Sequence, residues 1–401
     1  MSEYGKNIST LGRALRLLGV GFLVVIFVAS ALPFDNTSAP IATPQEPTGS
    51  SAHPLVPVGG TPVTITGTYV HPSGMFSAPM LNGWQLPGDS PEESVAATPD
   101  QPVTRAGAVF VNTGAASVVH LFVEDNPALS QSEGAIETLQ AYYTSEQVGA
   151  AWTQYNGGWR EIGRRVVHNT LIIDTEMTHN GLVYLGRQFA RLEQRWLMVL
   201  RLVVPNNNPS LLERLEQACY PHFHLWPSSI SAPLHWRTLA DTRSGYLIRF
   251  PSAWRQEDGR PGAPYTLSGE LDGRTYRLNV RALPAQSITD EAAAQAWIAQ
   301  HYPRALFQSA QPEQRGAFSG YTLSFLAPDP DGNQHSLTAT LINGEAALYA
   351  AILQTAADGR DLLGPSDGSF SPELFRIRQT FTPIRLAPLS AQPTPTPTPA
   401  G

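Results

Sequence analysis

The chain is 401 residues long, which suffices for about two domains of ordinary size, each with its own core. Its formal charge of −7 argues against nucleic acid as a partner, and its hydrophobic fraction of 42% argues against a disordered polyelectrolyte. Because Cys219 is the only cysteine, an intramolecular disulfide and a zinc cage of cysteines are both excluded, and stability must come from packing.

The first feature along the chain is an apolar run at residues 17–32, LLGVGFLVVIFVASAL, which carries no charge. Three basic residues precede it, so we predict that residues 1–16 are cytoplasmic and that residues 17–34 form an export signal in contact with the cytoplasmic membrane. One outcome is a retained single-span anchor, with the protein in the cell membrane and its C-terminal part extracytoplasmic. The other is cleavage near Ala31 and secretion, since small residues suit a signal peptidase. No cysteine follows the run, which excludes a lipoprotein anchor.

Proline-rich segments set the limits of the predicted folded part. Residues 35–62 are dense in Pro, Ser, Thr and Gly without apolar periodicity, which predicts an extended linker. Residues 389–401 contain PTPTPTP and predict a disordered tail of polyproline character that joins no core. Between them we predict a first domain at residues 63–227 and a second at residues 235–388.

The two predicted domains are copies of one unit, because short segments recur in the same order. Two pairs of segments match: GMFSAP at 74–79, followed by Trp84, with GYLIRFP at 245–251, followed by Trp254; and LEQACYP at 215–221 with IRQTFTP at 377–383. Each copy therefore begins with a short strand that meets a proline and then a tryptophan, and each ends at a proline.

Hydrophobic periodicity predicts the same order of elements in both copies. The first copy is predicted to contain strands 108–111 and 118–123, helix 133–146, strands 162–167, 170–177, 184–192 and 196–204, and helix 210–218. The second is predicted to contain strands 265–267 and 276–280, helix 289–301, strands 321–325, 336–342 and 347–353, and helix 371–379. Thr289 is the predicted N-cap of the helix at 289–301, and Asn343-Gly344 is a strong hairpin signal.

Strands with apolar residues on both faces, such as WLMVL at 196–200, must be covered on both sides. Two helices per copy can supply this cover, and the hairpin signal favours antiparallel pairing. The predicted fold class is therefore α/β (α+β): two tandem α/β/α sandwich domains with mostly antiparallel sheets, preceded by one N-terminal apolar helix.

This pattern resembles the PsbP/Mog1/LpqN-like superfamily, in which a Gly-aromatic strand runs into Pro and Trp, a helix and an antiparallel meander follow, and a helix closes the unit before a Phe-rich end. Residues 245–254, 343–344 and 378–383 carry the resemblance best. It implies a fold used mainly by non-enzymatic accessory proteins: photosystem assembly factors, a partner of a small GTPase, and exported mycobacterial lipoproteins. It implies no functional residue, because no functional motif of those families matches here.

The sequence lacks the Gly-x-Ser-x-Gly, His-Glu-x-x-His, phosphate-loop and dinucleotide signatures. Cys219, His222 and His224 form a Cys-x-x-His-x-His cluster that could bind zinc with a fourth ligand from elsewhere. In the repeat, however, Cys219 aligns with Phe381 and His222 with Ile384, which favours a buried hydrophobe over a ligand. We therefore assign no catalytic residue, cofactor or metal, and keep this cluster as the candidate metal site.

Other groups have both a chemical and a structural interpretation. They are Asp174 and Glu176 with His179 as an acid and base set; Asp329, Asp331 and Asn333 as a calcium loop; and Trp84 and Trp254 as a ligand platform. A solvated strand face, an ordinary hairpin turn and buried structural tryptophans explain them better. The calcium-loop register fails because Gln334 and Thr340 occupy the positions of its Gly and Glu.

The function that these observations favour is a non-catalytic, extracytoplasmic, membrane-associated binding or assembly module. It is expected to contact the cytoplasmic membrane through residues 17–34 and to bind an unknown protein or envelope partner through loops or exposed sheet edges. One alternative is a metal-dependent or acid/base hydrolase of the cell envelope. A further alternative is a structural envelope spacer without a specific partner.

Overall fold

The computed structural model describes residues 63–87, 93–127, 129, 135–152, 155–257, 264–357, 362–363 and 372–390. The predicted segments 1–16, 17–34 and 35–62 lie outside these residues, as does most of the predicted tail. Within the described ranges, no helix has the length and apolar character needed to cross a membrane.

We call the described residues from the first strand to the tenth unit one. Its elements are β1 (Ile65–Val70), β2 (Phe76–Leu81), β3 (Glu93–Val95), β4 (Arg105–Asn112), β5 (Ser117–Asp125), α1 (Ala135–Tyr142), α2 (Ser145–Ala150), β6 (Trp159–Val167), β7 (Thr170–His179), β8 (Leu182–Glu193), β9 (Trp196–Pro205), α3 (Pro209–Cys219) and β10 (His224–Leu225). A 3₁₀ turn, Tyr220–His222, joins α3 to β10.

Unit two follows after a short connecting helix, α4 (Pro227–Ile230). Its elements are β11 (Arg237–Asp241), β12 (Tyr246–Phe250), β13 (Arg255–Glu257), β14 (Tyr265–Leu271), β15 (Arg274–Pro284), α5 (Glu291–His301), β16 (Leu306–Arg315), β17 (Phe318–Pro328), β18 (Gln334–Asn343), β19 (Ala347–Ala356), α6 (Pro372–Thr380) and β20 (Thr382–Pro383).

The two units have one topology. Unit one has a seven-stranded sheet in the order β3-β4-β5-β9-β8-β7-β6 and a three-stranded sheet in the order β1-β2-β10. Unit two repeats both, as β13-β14-β15-β19-β18-β17-β16 and β11-β12-β20. In the described residues each strand pairs antiparallel with its neighbour, for example β8 with β9 and β18 with β19. The internal repeat and the mostly antiparallel sheets predicted from the sequence are therefore confirmed.

Each large sheet is covered on both faces because its central strands are apolar on both faces. In β9 every residue except the last is buried. In unit one, α1 and α2 cover one face, where Leu139 and Val148 join the core, and α3 with the three-stranded sheet covers the other, through residues such as Leu215. In unit two, α5 covers one face through Trp297 and Ile298, and the small sheet with α6 covers the other.

Two predictions on helices need correction. The helix predicted at 133–146 is two helices, since the chain breaks at residues 143–144 and the Thr144 hydroxyl accepts a hydrogen bond from Gln147 N at 3.4 Å as the cap of α2. The N-cap of α5 is Asp290 and not Thr289, because the Asp290 carboxylate accepts from Ala293 N at 2.8 Å. A charged cap at this position also suits the positive end of the helix dipole.

The hairpin predicted at Asn343-Gly344 is present between β18 and β19, but the two residues do not form its turn in the expected way. A type I′ turn needs positive φ at both positions, and neither residue has it. Asn343 instead fixes the chain before α5: its Nδ2 donates to Ile288 O at 2.7 Å and its Oδ1 accepts from Ile288 N at 2.8 Å. The asparagine therefore serves a long-range contact and not the turn.

The units contact each other at two places. Near α4, the Trp226 indole, which packs in the core of unit two, donates to Ser77 Oγ of unit one at 3.1 Å, and the guanidinium of Arg249 on β12 donates to backbone carbonyls of the segment 229–236. At the other place, the chain after β20 runs back along β1. There Ala387 N donates to the Thr68 hydroxyl at 2.8 Å, Ser390 N donates to Ile65 O at 3.1 Å, and Ile65 N donates to Ser390 Oγ at 2.9 Å.

Candidate functional site

The structure does not bring Cys219, His222 and His224 together as three ligands of one metal ion. Cys219 is the last residue of α3 and is buried in the core of unit one, where burial raises the pKa of its thiol to about 12. His224 lies on β10, and burial lowers its pKa to about 4. In the part of the chain that the structure describes, no three His, Cys, Asp or Glu side chains are placed to hold a metal ion. The thiol is therefore a protonated core residue.

The predicted acid and base set is divided between two faces of a sheet. Asp174 and Glu176 lie on one face of β7, as the period of two requires, and His179 lies on the other. Asp174 accepts from Arg165 at 2.5 Å and from Arg187 at 2.6 Å, and Glu176 pairs with Arg160. Because the carboxylates are ion-paired with arginines, they are poor candidates for proton transfer.

The Asp-rich loop between β17 and β18 is a closed hairpin turn. Asp329 Oδ1 accepts from Asn333 N at 2.8 Å, and Oδ2 accepts from Asn333 Nδ2 at 3.1 Å. His335 Nε2 lies 3.1 Å from the same Oδ2, and these bonds lower the pKa of Asp329 to about 2. The carboxylate oxygens therefore make the internal bonds of an Asx-type turn.

The two repeated tryptophans differ in burial. Trp254 is 1% exposed in the core of unit two, whereas Trp84 is half-buried against the core of unit one. A Cβ on Gly269 would overlap the Trp254 ring, so the glycine makes room for the ring. Trp254 is thus a structural core residue, and the half-buried Trp84 packs against a core in the same way.

A shallow groove of about 350 Å³ lies at the junction of the units. Its lining residues include Pro72, Ser73, Ser94, Leu234, Trp236 and Thr238. Among the described residues, Arg237 is the one titratable member of the lining, so these residues alone supply no acid and base pair.

The surfaces that sequence reasoning did not locate are two long edge strands. β6 and β16 occupy the same end of the strand order in their sheets, and each has a single neighbouring strand in the described residues. At one end of β6, Val166 and Val167 are each 41% exposed, and at one end of β16, Leu306 is 63% and Phe307 43% exposed. Each edge therefore offers unpaired backbone groups next to large apolar side chains.

The opposite edges of the two sheets are much shorter. β3 has three residues and so has β13. Native proteins blunt sheet edges by keeping edge strands short, by charges and by bulges. β6 carries four charged residues at 160–165 and a bulge beside Ile162, and β16 carries Pro312, Glu313 and a bulge at 307–309. These devices leave 166–167 and 306–307 as the unprotected ends.

Comparisons with known proteins give little identity. No protein-family model matches the chain, and no curated protein matches it. The solution structure of cyanobacterial PsbP (CyanoP) from Synechocystis sp. PCC 6803 is similar at 15% identity, covering 37% of this chain and 92% of that chain with a TM-score of 0.28.

Two further structures match over a larger share of this chain. The apo structure of immunity protein TplEi of T6SS from Pseudomonas aeruginosa has 9% identity, covers 80% of this chain and 97% of that chain, and gives a TM-score of 0.21. A chain of the Tle4-Tli4 complex has 10% identity, covers 80% and 98%, and gives a TM-score of 0.19. The resemblance to PsbP is therefore weak, and scores at this level support no conclusion on function.

Proposed function

We propose that the protein is a non-catalytic, extracytoplasmic, membrane-associated binding module that holds an envelope protein against the edge strands β6 and β16. The observation that carries this proposal is that the long edge strands β6 and β16 occupy the same topological position in both units, and that each has an exposed apolar end, the C-terminal end of β6 and the N-terminal end of β16. The proposal also states that residues 17–34 are a membrane anchor or signal. It further states that each unit is an α/β/α sandwich of the PsbP/Mog1/LpqN-like superfamily.

The physical reason is that an edge strand presents a row of unpaired N–H and C=O groups. A partner segment that adds as one more strand satisfies these groups, and pockets for its alternate side chains supply specificity. When a partner covers the exposed ends at 166–167 and 306–307, their apolar side chains are removed from water. This burial stabilises the complex by about 25 cal/mol for each Å² of apolar surface. Binding at these ends therefore combines backbone pairing with apolar burial.

The charges of β6 limit where the partner lies. Arg160 pairs with Glu176, and Arg164 pairs with Glu161 at 2.8 Å, so the charged stretch is already neutralised within unit one. Val166 and Val167, next to it, are apolar and each 41% exposed. The hydrolase alternative has no comparable support, because its candidate carboxylates are ion-paired with arginines.

A site-specific crosslinking experiment tests the edges. Lys6 is the only lysine of the chain, so the predicted extracytoplasmic part carries no ε-amino group. Arg160→Lys on β6 and Arg304→Lys just before β16 keep the charge and place one amine at each edge; both positions are exposed. Arg255→Lys on the short edge β13 is the matched control. With an amine-reactive crosslinker on intact cells, the full chain is expected to form one adduct from the edge variants and none from Arg255→Lys.

A second pair of variants distinguishes strand addition from mere proximity. Val167→Pro removes a backbone N–H and an apolar side chain from β6, and Val95→Pro makes the same change on the short edge β3. In the Arg160→Lys background, the adduct is expected to vanish with Val167→Pro and to persist with Val95→Pro. Adducts of equal yield from all lysine positions, or an adduct that persists with Val167→Pro, would show that the edges are not the binding surface.

A further inference from the structure

The exposed apolar residues of β6 and β16 lie at opposite ends of their strands. Val166 and Val167 are the last two residues of β6, whereas Leu306 and Phe307 are the first two of β16. Antiparallel strands place the C-terminal end of one opposite the N-terminal end of the other. In the described residues, both strands pair antiparallel with the neighbour that they have in their own sheet. Antiparallel pairing of β6 from one chain with β16 from another therefore brings the two apolar ends together.

One register aligns these ends residue by residue. In it, Val167 lies opposite Leu306. In the same register Val166 lies opposite Phe307, so that both exposed residues of each strand face an apolar residue of the other. Facing apolar side chains on neighbouring strands stabilise a sheet. The register also lets the two strands overlap over almost their full length, because β6 has nine residues and β16 has ten.

The covered faces of the two large sheets agree with this register. Val166 is paired with Leu171 of β7, which packs in the core that α1 and α2 cover. Phe307 is paired with Phe325 of β17, which packs in the core that α5 covers. Residues opposite each other in a sheet point to the same face, and a shift by one residue reverses the faces. The register that joins the apolar ends therefore also places α1 and α2 of one chain on the same side as α5 of the other.

A pair of opposite charges lies at the other end of the same register. Each strand has one bulge, beside Ile162 in β6 and between residues 307 and 309 in β16, so equal numbers of residues span equal lengths. Counting from the apolar ends sets Arg160, whose side chain is 66% exposed, opposite Glu313. Glu313 already pairs with Arg315, and a carboxylate between two arginines is found in unit one at Asp174. Opposite charges on facing strands stabilise a sheet.

Other pairings of these edges give no such match. Two copies of β6 in full antiparallel overlap set Val166 opposite Arg160. Two copies of β16 set Leu306 opposite Arg315. A parallel arrangement of β6 with β16 separates the two apolar ends, and the short edges β3 and β13 offer three residues each. Among these pairings, antiparallel β6 with β16 is the one that sets apolar residues opposite apolar residues.

We propose that the partner of the β6 edge is a second copy of this chain, whose β16 edge adds to β6 as the next strand. The inference rests on the function proposed above, since it names the protein that these edges hold. Because the two contacting surfaces differ, the contact is head-to-tail, and every dimer keeps one β6 edge and one β16 edge for further copies. The product is therefore a closed ring or a filament in which unit one of each chain continues the sheet of unit two of the next.

A disulfide between two introduced cysteines tests the register. Directly opposed residues of antiparallel strands have Cα atoms about 4.5–5.5 Å apart, which suits a disulfide. Val167→Cys and Leu306→Cys, both at exposed positions, are made in separate full-length chains that carry different tags, and the two chains are coexpressed. Oxidation of intact cells is expected to give a covalent dimer that contains one chain of each kind. The native Cys219 is buried, so the wild-type chain is expected to give no covalent dimer.

Two controls separate this register from chance contact. Arg160→Cys lies at the other end of β6, about 23 Å along the strand from Val167, and is expected to give no mixed dimer with Leu306→Cys. Val167→Cys expressed alone is expected to stay monomeric on oxidation, because two β6 ends do not meet. A mixed dimer of equal yield from Arg160→Cys, dimers of equal yield from Val167→Cys alone, or no mixed dimer from Val167→Cys with Leu306→Cys would each overturn the pairing of β6 with β16.

The edge crosslink at Arg160→Lys distinguishes this failure from a failure of the proposed function. A crosslinker that is amine-reactive at one end and photoreactive at the other needs one lysine only, so it captures any protein at the edge. The adduct is expected to have twice the mass of the chain. An adduct of another mass would overturn the second copy as the partner and leave docking at the edge strands intact, whereas the absence of both the adduct and the mixed disulfide dimer would overturn both proposals.

Discussion

Arg249 holds the segment between the two units, and its replacement is expected to loosen that junction. The side chain is fully buried and donates to the carbonyls of Ala232 at 3.0 Å, Pro233 at 2.8 Å and Trp236 at 3.1 Å, with two longer contacts. No carboxylate of the described residues contributes to its pKa, so the charge is stabilised by carbonyl dipoles alone. Arg249→Met removes all of these bonds while keeping a chain of similar volume.

The magnitude follows from two opposing effects. Three charge-assisted hydrogen bonds contribute about 2 kcal/mol each, or about 6 kcal/mol together. Burial lowers the pKa of Arg249 to about 10, which corresponds to a penalty of about 3 kcal/mol on the charged form that the variant no longer bears. The net loss is therefore about 3 kcal/mol in the free energy of unfolding, a large part of the total for an ordinary domain.

Urea unfolding of the full chain, followed by tryptophan fluorescence, measures this loss. Arg249→Lys keeps a charge but lacks the planar fork that reaches several carbonyls, so an intermediate loss is expected. Arg243→Met, at an exposed position in the turn between β11 and β12, is the control and is expected to change stability by less than about 0.5 kcal/mol. Equal midpoints for Arg249→Met, Arg243→Met and the wild type would refute the assignment of Arg249 as the residue that holds the segment.

Two further predictions concern pH and packing. Burial lowers the pKa of His71 to about 3 and that of His224 to about 4, so the folded state favours neutral imidazoles. The contribution of the neutral imidazoles to the free energy of unfolding is therefore complete above pH 6.5. Below pH 6.5 the free energy of unfolding falls by at most about 1.4 kcal/mol per pH unit for each histidine. His71→Gln is expected to flatten the decline of the melting temperature with falling pH, whereas the control His168→Asn, at an exposed position in the turn after β6, is expected to leave it unchanged. Gly269→Ala is expected to displace the Trp254 ring and to lower the free energy of unfolding by about 1–3 kcal/mol, measured by urea unfolding. The control Gly273→Ala strains only the turn at its own positive φ. An unshifted tryptophan emission in Gly269→Ala would contradict this reasoning.

The strands that sequence reasoning located best are those with the strongest apolar patterns. The predicted strands 170–177, 184–192 and 196–204 correspond to β7, β8 and β9 within a few residues. Their positions follow from apolar residues that both covering layers bury and from turns that separate them. The repeat of short segments then predicted the duplication, which the common strand order confirms.

The elements that sequence reasoning missed depend on tertiary contacts. β16, LFQSAQPEQR, has no regular apolar alternation and contains Pro312, yet it pairs with β17 along its whole length because an edge strand needs hydrogen bonds on one side only. The break between α1 and α2 at residues 143–144 has a local cause instead, because Thr144 caps a new helix where periodicity alone continues the old one.

The functional surfaces were beyond sequence reasoning for a related reason. Periodicity identifies strands but not their order in the sheet, so it could not place β6 and β16 at the edges. Arg201 is the one charged residue of the strand WLMVLRLVVP, and its burial at 8% exposure was not predicted from the sequence. Its neighbours His120 and Gln188 come from distant strands, which only the register of the sheet brings together.

Amide hydrogen exchange of the full chain, with and without the protein captured by the edge crosslinks, is the most direct test of the proposed docking. The account predicts slower exchange in residues 162–167 and 306–310 when the partner is bound, and no change in residues 93–95 and 255–257 on the short edges. Exchange rates in β6 and β16 that are the same with and without the partner would contradict the claim that a partner adds to these strands.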